Sequence, residues 1–423
     1  MAAESGNTRN IVILGASYSG LSAAHYFLKH VYPSLPSLNE KYRVYLVDPS
    51  THFYHRIAAP RAAVSFKTMP PAKTFHEIAS SFGQYDSSAF TFLQGKAVSM
   101  DTTQRTVTIQ RLGASEGKEE VLPYHALIMA TGTKTYDPTL SLQGGSHEDT
   151  MNALSEMHRR LSGAKSVIIV GGGPAGVEVA GEVGEHLNGA AGWFAKKPAN
   201  MKATVTLVSG SNKLLPILRE PISKQAEVYL ARVGVDVIHN AKMTNTEKLA
   251  SGKTKVTLSD GKEMECDVYI PAMGVIPMTE YVPKELLTEK GYIKTNDATL
   301  RVDEAGPRVY AVGDVGSYTR GGVMDIYDAI PVVLTNVKRD LLAAHKDPNA
   351  KATGGDRKYK KNNSETQIVP VGMSKGVGAF NGNKLPSMMV YMIKGRDYLS
   401  GAAVEIVSGS KWNKESGWKP TDG

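Results

Sequence analysis

The stretch Ile11-Val12-Ile13-Leu14-Gly15-Ala16-Ser17-Tyr18-Ser19-Gly20 runs from a short β-branched segment straight into a glycine turn. Four consecutive apolar residues of this kind suit a strand buried on both faces of a parallel sheet. Leu21, Ala24, Tyr26, Phe27 and Leu28 continue with helical spacing, and Tyr32-Pro33-Ser34-Leu35-Pro36 breaks the helix. A second strand, Tyr42 to Val47, closes on Asp48. The order is strand, glycine turn, helix, strand, acid.

The same order recurs a domain length later, up to the acid. Ser166 to Val170 reads as a strand, Gly171-Gly172-Gly173-Pro174-Ala175-Gly176 as a turn, Val177 to about Leu187 as a helix and Thr204 to Val208 as the next strand. One such fingerprint is weak evidence. Two in this context point to two dinucleotide-binding units. Gly15, Ser17 and Gly20 fill the three fingerprint positions of the first, with serine at the middle one. Gly171, Gly173 and Gly176 fill those of the second, with Pro174 and Ala175 between. Each helix start offers free N–H groups and partial positive charge to a pyrophosphate. Asp48 comes later than the usual spacing of about 20 residues. The Pro-rich insertion accounts for the delay, and an acid there would bind ribose hydroxyls. Ser209 stands in the corresponding place of the second unit. With Ser211 and Lys213 it would tolerate a 2′-phosphate that a carboxylate would repel.

Around these units, residues 89–130 are strand-rich and end in Ala130-Thr131-Gly132, and 255–275 mirror them, ending in Met273-Gly274. Arg308 to Val312 makes a strand into Gly313-Asp314, an acid placed to accept hydrogen bonds from a ribityl chain. Residues 346–364 are polar and basic and read as a solvated loop, the run Lys358-Tyr359-Lys360-Lys361 included. The tail holds short strand-like runs such as Met388 to Ile393. The expected fold is α/β. Two Rossmann-like units bind FAD and NAD(P), and a small C-terminal α+β unit follows. FAD would be held by 1–145 and 291–364, NAD(P) by 146–290, and the last unit spans 365–423.

Composition narrows the function. The 423 residues are 41% hydrophobic and 21% charged, ordinary for a globular protein of two or three domains. The net charge of +8 is a mild excess that suits anionic nucleotides or an anionic membrane surface and equally an ordinary solvated surface with no such partner. The single Cys266 rules out an intrachain disulfide, a redox cysteine pair and a cysteine-rich zinc site. His52 and His55 lack the companions a metal needs, so no metal is expected. The N-terminus lacks a signal-peptide pattern, Ala2 replaces the glycine that N-myristoylation requires, and no apolar run is long enough to span a membrane. A cytoplasmic protein is expected, with contact at the periphery of a membrane if its acceptor is a lipid quinone. Trp412 and Trp418 fit either a membrane-facing element or a late packing segment.

The chain resembles FAD-dependent pyridine nucleotide oxidoreductases of the apoptosis-inducing-factor-like group, which includes ferroptosis-suppressor-like flavoproteins and is related to type II NADH dehydrogenases. The resemblance rests on GASYSG at 15–20, Val47-Asp48, His52 to Ala62, ATG at 130–132, GGGPAGVEVAGE at 171–182, VYAVGD at 309–314 and Lys394 to Asp397. It implies an NAD(P)H:quinone oxidoreductase. Gly15, Ala16, Ser17, Tyr18, Ser19, Gly20, Asp48, Arg61, Ala97, Thr131, Gly132 and Asp314 would face FAD. Gly171 to Gly176, Ser209 and Gly274 would face the nicotinamide nucleotide. Glu178 would lie near the nicotinamide and flavin, and Lys394 on the quinone side. Two other readings are an FAD oxidoreductase of specialised metabolism with another organic substrate, and a non-catalytic signalling or nucleic-acid-binding protein. Two intact fingerprints argue against the last. The acceptor, the nucleotide preference and the oligomeric state stay open at this stage.

Overall fold

A computed structural model of the chain describes residues 8–36, 41–113, 116–347 and 350–419. The readings of the extreme N-terminus and of positions 348–349 in the basic loop lie outside the described residues.

Two parallel sheets organise the molecule. The first places Val309–Ala311, Ala126–Met129, Thr8–Leu14, Lys41–Asp48 and Phe90–Asp101 side by side in parallel, then adds Thr106–Arg111 and Glu119–Pro123 antiparallel at the edge. The second runs Val235–Ile238, Thr204–Val208, Ser166–Val170, Val268–Pro271, all parallel. Ile11, Val12 and Ile13, like Val167 and Ile169, are buried, as continuous apolar strands covered on both faces must be. The chain leaves the first sheet after Met129, builds the second, and returns at Val309 beside Ala126–Met129. This return brings Gly313-Asp314 to the first glycine turn.

Helices cover the sheets. Tyr18–Tyr26 packs on the first sheet and against the long helix Val323–Lys346. The second glycine helix is Pro174–Asn188, beginning earlier than its apolar pattern suggests because Pro174 is well suited to a first helical turn. The C-terminal unit is a hairpin, Gln367–Val371 with Lys375–Phe380, that lies against this helix at Gly181. Cys266 is buried beside Ile168 and Val256 as a small core residue. No helix among the described residues is long and apolar enough to cross a membrane.

Two expectations need correction, and one pair of alternatives is decided. Met388 to Ile393 is helical: Ser387–Val390 runs on into the wider turn Tyr391–Gly395. Val390 faces inward while Met388, Met389 and Met392 stay exposed, a one-sided pattern that a short run hides. The basic loop is docked as well as solvated. Asp356 pairs with Arg301 at 2.5 Å, and Tyr359 is buried edge-on against Tyr318, while its neighbours Lys358, Lys360 and Lys361 stay in solvent. Trp412 is buried beside Tyr26, and Trp418 stacks under Arg339, so the tail is a packing segment.

Candidate active site

The two glycine turns are built alike. Gly15 N–H donates to Val47 O at 2.7 Å, and Gly171 N–H to Val208 O at 2.8 Å. Both glycines have positive φ, +96° and +137°. A Cβ would strike Ala130 O at 2.5 Å in the first turn and Ala272 O at 2.3 Å in the second. At the third position, a Cβ on Gly20 would lie 1.7 Å from Gly15 O, and one on Gly176 1.8 Å from Gly171 O. No other residue allows this contact of helix with strand. Gly173 has nothing within 4 Å of its Cβ position, which leaves its backbone open to a ligand. Ser17 makes no capping bond with its side chain, so its hydroxyl is free at the N-terminus of Tyr18–Tyr26. Ala16, Ser19, Pro174 and Ala175 share these turns. Ser19 also lies where a Cβ on Gly313 would collide with its hydroxyl, which ties the first turn to the Gly313-Asp314 strand end.

The residues that follow the second strands differ. Asp48 accepts from Ala16 N–H at 2.6 Å and Ser50 N–H at 2.8 Å, and burial pushes its pKa up to about 6. Ser209 is buried and bonded within its own turn to Ser211 at 3.3 Å. Lys213 donates to Leu218 O at 2.6 Å, so its ammonium is already engaged. Lys242 lays its methylenes over Gly210, next to Ser209, and is exposed.

A cleft gathers Gly15, Ser17, Asp48, Ala97 and Thr131. A neighbouring cleft containing Asp314 and Thr319 shares Thr133 with it. Asp314 accepts there from Gly322 N–H at 3.2 Å. Gly132 and Gly274 take positive φ at paired strand exits, +65° and +61°. The glycine cradle, the free N–H groups and the acid at the strand end fit the adenosine and pyrophosphate of FAD.

Arg61 corrects its expectation. It is 1% exposed and lies outside the cleft. Its guanidinium donates to Glu182 at 2.8 and 3.1 Å, to Arg396 O at 3.1 Å and to Gly372 O at 3.4 Å, and it stacks on Tyr398 at 4.6 Å. Its donors bind together the second glycine helix and the C-terminal unit. The cations that line the cleft are Arg56 and Lys96. Sequence reasoning missed both, although Arg56 falls within the quoted His52–Ala62 segment.

Glu178 and Lys394 come together. Lys394 Nζ donates to Glu178 Oε1 at 2.5 Å and to Ile368 O at 3.4 Å. Burial raises the Glu178 pKa, and the lysine partly opposes the rise. Glu178, Glu182 and Glu185 share one helix face, and Tyr398 O–H donates to Glu182 at 3.0 Å. Lys394 answers Glu178, Arg61 and Tyr398 answer Glu182, and the Met373 N–H answers Glu185. Nothing in the local sequence signals this cluster, because its halves lie some two hundred positions apart. Tyr18 O–H likewise reaches His55 Nδ1 at 2.8 Å. The other His55 nitrogen donates to Tyr398 O at 2.8 Å, and burial lowers the His55 pKa to about 4. The neutral ring therefore carries its proton on Nε2. Among the described residues no group of side chains could hold a metal.

An α/β chain with two glycine turns of the same build, each joining a buried parallel strand to a helix, defines the class of two-domain flavoprotein reductases. The chain belongs to the pyridine nucleotide-disulphide oxidoreductase family, whose model matches residues 9–331. Such proteins use FAD with NAD(P)H. The chain is 44% identical to oxidoreductase phnG of Penicillium herquei over 98% of its own length and 100% of that protein. It is 27% identical to human ferroptosis suppressor protein 1, covering 92% and 93%. The structure of NDH2 from Plasmodium falciparum in complex with NADH is similar in fold, with a TM-score of 0.65 at 14% identity and 96% of each chain covered.

Proposed function

We propose that this chain carries two electrons from NADH or NADPH to a quinone-type acceptor. FAD bound in the first cleft supplies the chemistry that takes a hydride from one and returns electrons to the other. Residues 1–145 and 291–364 hold it, 146–290 hold the nucleotide, and 365–423 face the acceptor. The second glycine turn binds the nucleotide pyrophosphate at the helix N-terminus. Ser209 brings no negative charge to the adenosine ribose, and the exposed Lys242 offers a cation to a 2′-phosphate, so NADPH is accepted.

The observation that carries the reading is the Glu178–Lys394 pair. A quinone reduced in this way gains one hydrogen that arrives as the hydride of NAD(P)H and one that arrives as a proton. The pair passes that proton: Lys394 Nζ–H donates to Glu178 Oε1 at 2.5 Å, and burial lets the Glu178 carboxyl hold a proton more readily than an exposed glutamate does. Glu178→Gln and Lys394→Ala should leave flavin bleaching by NAD(P)H near its normal rate. They should slow reoxidation by a short-chain quinone about hundredfold, read by stopped flow. Unchanged reoxidation would refute this role.

A second reading is favoured by the 44% identity to a protein named only as an oxidoreductase. In it the acceptor is another organic substrate. Flavin that nucleotide bleaches and quinone fails to restore would select it.

A further inference from the structure

Trp193 and Phe194 are 89% and 96% exposed, more than any other large apolar side chain among the described residues. They are neighbours in the segment 189–202, which joins the second glycine helix to the next strand. That much apolar surface left in water is costly.

The loop is held in this shape. The Arg232 guanidinium donates to Ala191 O at 3.2 Å, Gly192 O at 3.0 Å and Ala195 O at 2.7 Å. Ala191 N–H donates back to Arg232 O at 2.7 Å, and Ala195 N–H closes the turn on Gly192 O at 3.0 Å. Lys197 pairs with Asp236 at 2.5 Å. Asn188 Oδ1 accepts from Lys202 and Ala203 N–H at 2.8 and 3.0 Å. One guanidinium thus gathers the backbone beneath the two rings, which project as a tip.

The surroundings are cationic. Lys196, Lys197 and Lys202 are exposed, and Lys196 and Lys202 have no ion-pair partner among the described residues. Trp193 and Lys375 wall one hollow. The acid on that wall, Glu185, turns to accept Met373 N–H at 2.7 Å.

We propose that this loop docks the protein on an anionic lipid surface. Trp193 and Phe194 enter the headgroup layer, where an amphipathic indole is at home, and the lysines meet the anionic headgroups. A protein partner fits less well, because the rings form a projecting tip without the broad packed patch of a protein interface. One such tip gives reversible, salt-sensitive attachment. The inference is independent of the identity of the electron acceptor.

The test is cosedimentation of the full flavin-loaded protein with phosphatidylcholine vesicles, with and without phosphatidylserine. The wild type should bind the phosphatidylserine vesicles more tightly, and less so as salt rises. The double variant Trp193→Ala/Phe194→Ala should bind about tenfold more weakly or worse. Lys196→Glu and Lys202→Glu should each cost about fivefold. All variants should keep normal flavin content and bleaching, since these side chains are exposed. Vesicle binding that is absent in the wild type, or unchanged in the aromatic variant, overturns the proposal. Light scattering that shows a wild-type dimer lost in the aromatic variant, with vesicle binding unchanged, assigns the tip to a second copy of the chain and equally overturns it.

Discussion

The two glycine turns share a backbone and differ in what stands across from it. Leu14 pairs with Val47 and Val170 with Val208, so Asp48 and Ser209 occupy the same place relative to Gly15 and Gly171. Asp48 grips the Ala16 N–H and keeps a carboxylate at the strand end. Ser209 turns in on Ser211 and leaves that end uncharged. A Cβ at the third glycine would fall 1.7 or 1.8 Å from a backbone oxygen, and this clash fixes glycine there in both units. The residue opposite, free of that steric demand, is where one site can be made to retain a cofactor and the other to exchange a co-substrate.

Alanine at the third glycine should have the largest effect and should separate the units. Gly176→Ala should retain flavin yet lose about hundredfold in bleaching rate at low nucleotide, whereas Gly20→Ala should lose the flavin itself. If Gly176→Ala also lost its flavin, the division of labour between the turns would fail. Next comes Arg61, which joins the units. Arg61→Ala leaves Glu182 buried without its cation and should cost about 3–5 kcal/mol, seen as a lower melting temperature. A normal melting temperature with weakened FAD binding would instead restore the pyrophosphate role. Ser209→Asp copies the first unit into the second. It should shift the kcat/KM ratio toward NADH by about tenfold, close to 1.4 kcal/mol. An unmoved ratio would show that the 2′-position is read elsewhere. Ser17→Gly copies the second unit into the first. It should change FAD affinity by no more than about twofold, since glycine is nearly as good as serine at a helix start. A large loss would make the Ser17 hydroxyl an essential phosphate donor.

Local signals made much of this legible. Ile11–Leu14 and Ser166–Val170 announce buried parallel strands, and each glycine turn follows directly. What escaped depended on long-range packing. Arg61 looks like any basic residue near a nucleotide until the fold sets Glu182 against it. Glu178 and Lys394 look like a first-turn acid and a surface lysine until the turn Tyr391–Gly395 lays one on the other. Met388 to Ile393 is too short to show its period, and only the inward Val390 reveals a helix. Tyr359 sits among lysines, and burial of its ring against Tyr318 outweighs the polar character of its neighbours.

The central claim is that the second turn delivers electrons to a cofactor held by the first. An anaerobic titration of the purified protein with NADPH and NADH, followed at the flavin bands, tests it most directly. The account expects bound flavin that one equivalent of nucleotide bleaches in the wild type, and intact flavin that stays coloured in Gly176→Ala at the same nucleotide concentration. A protein that takes up no FAD, or bound flavin that neither nucleotide bleaches, would contradict it.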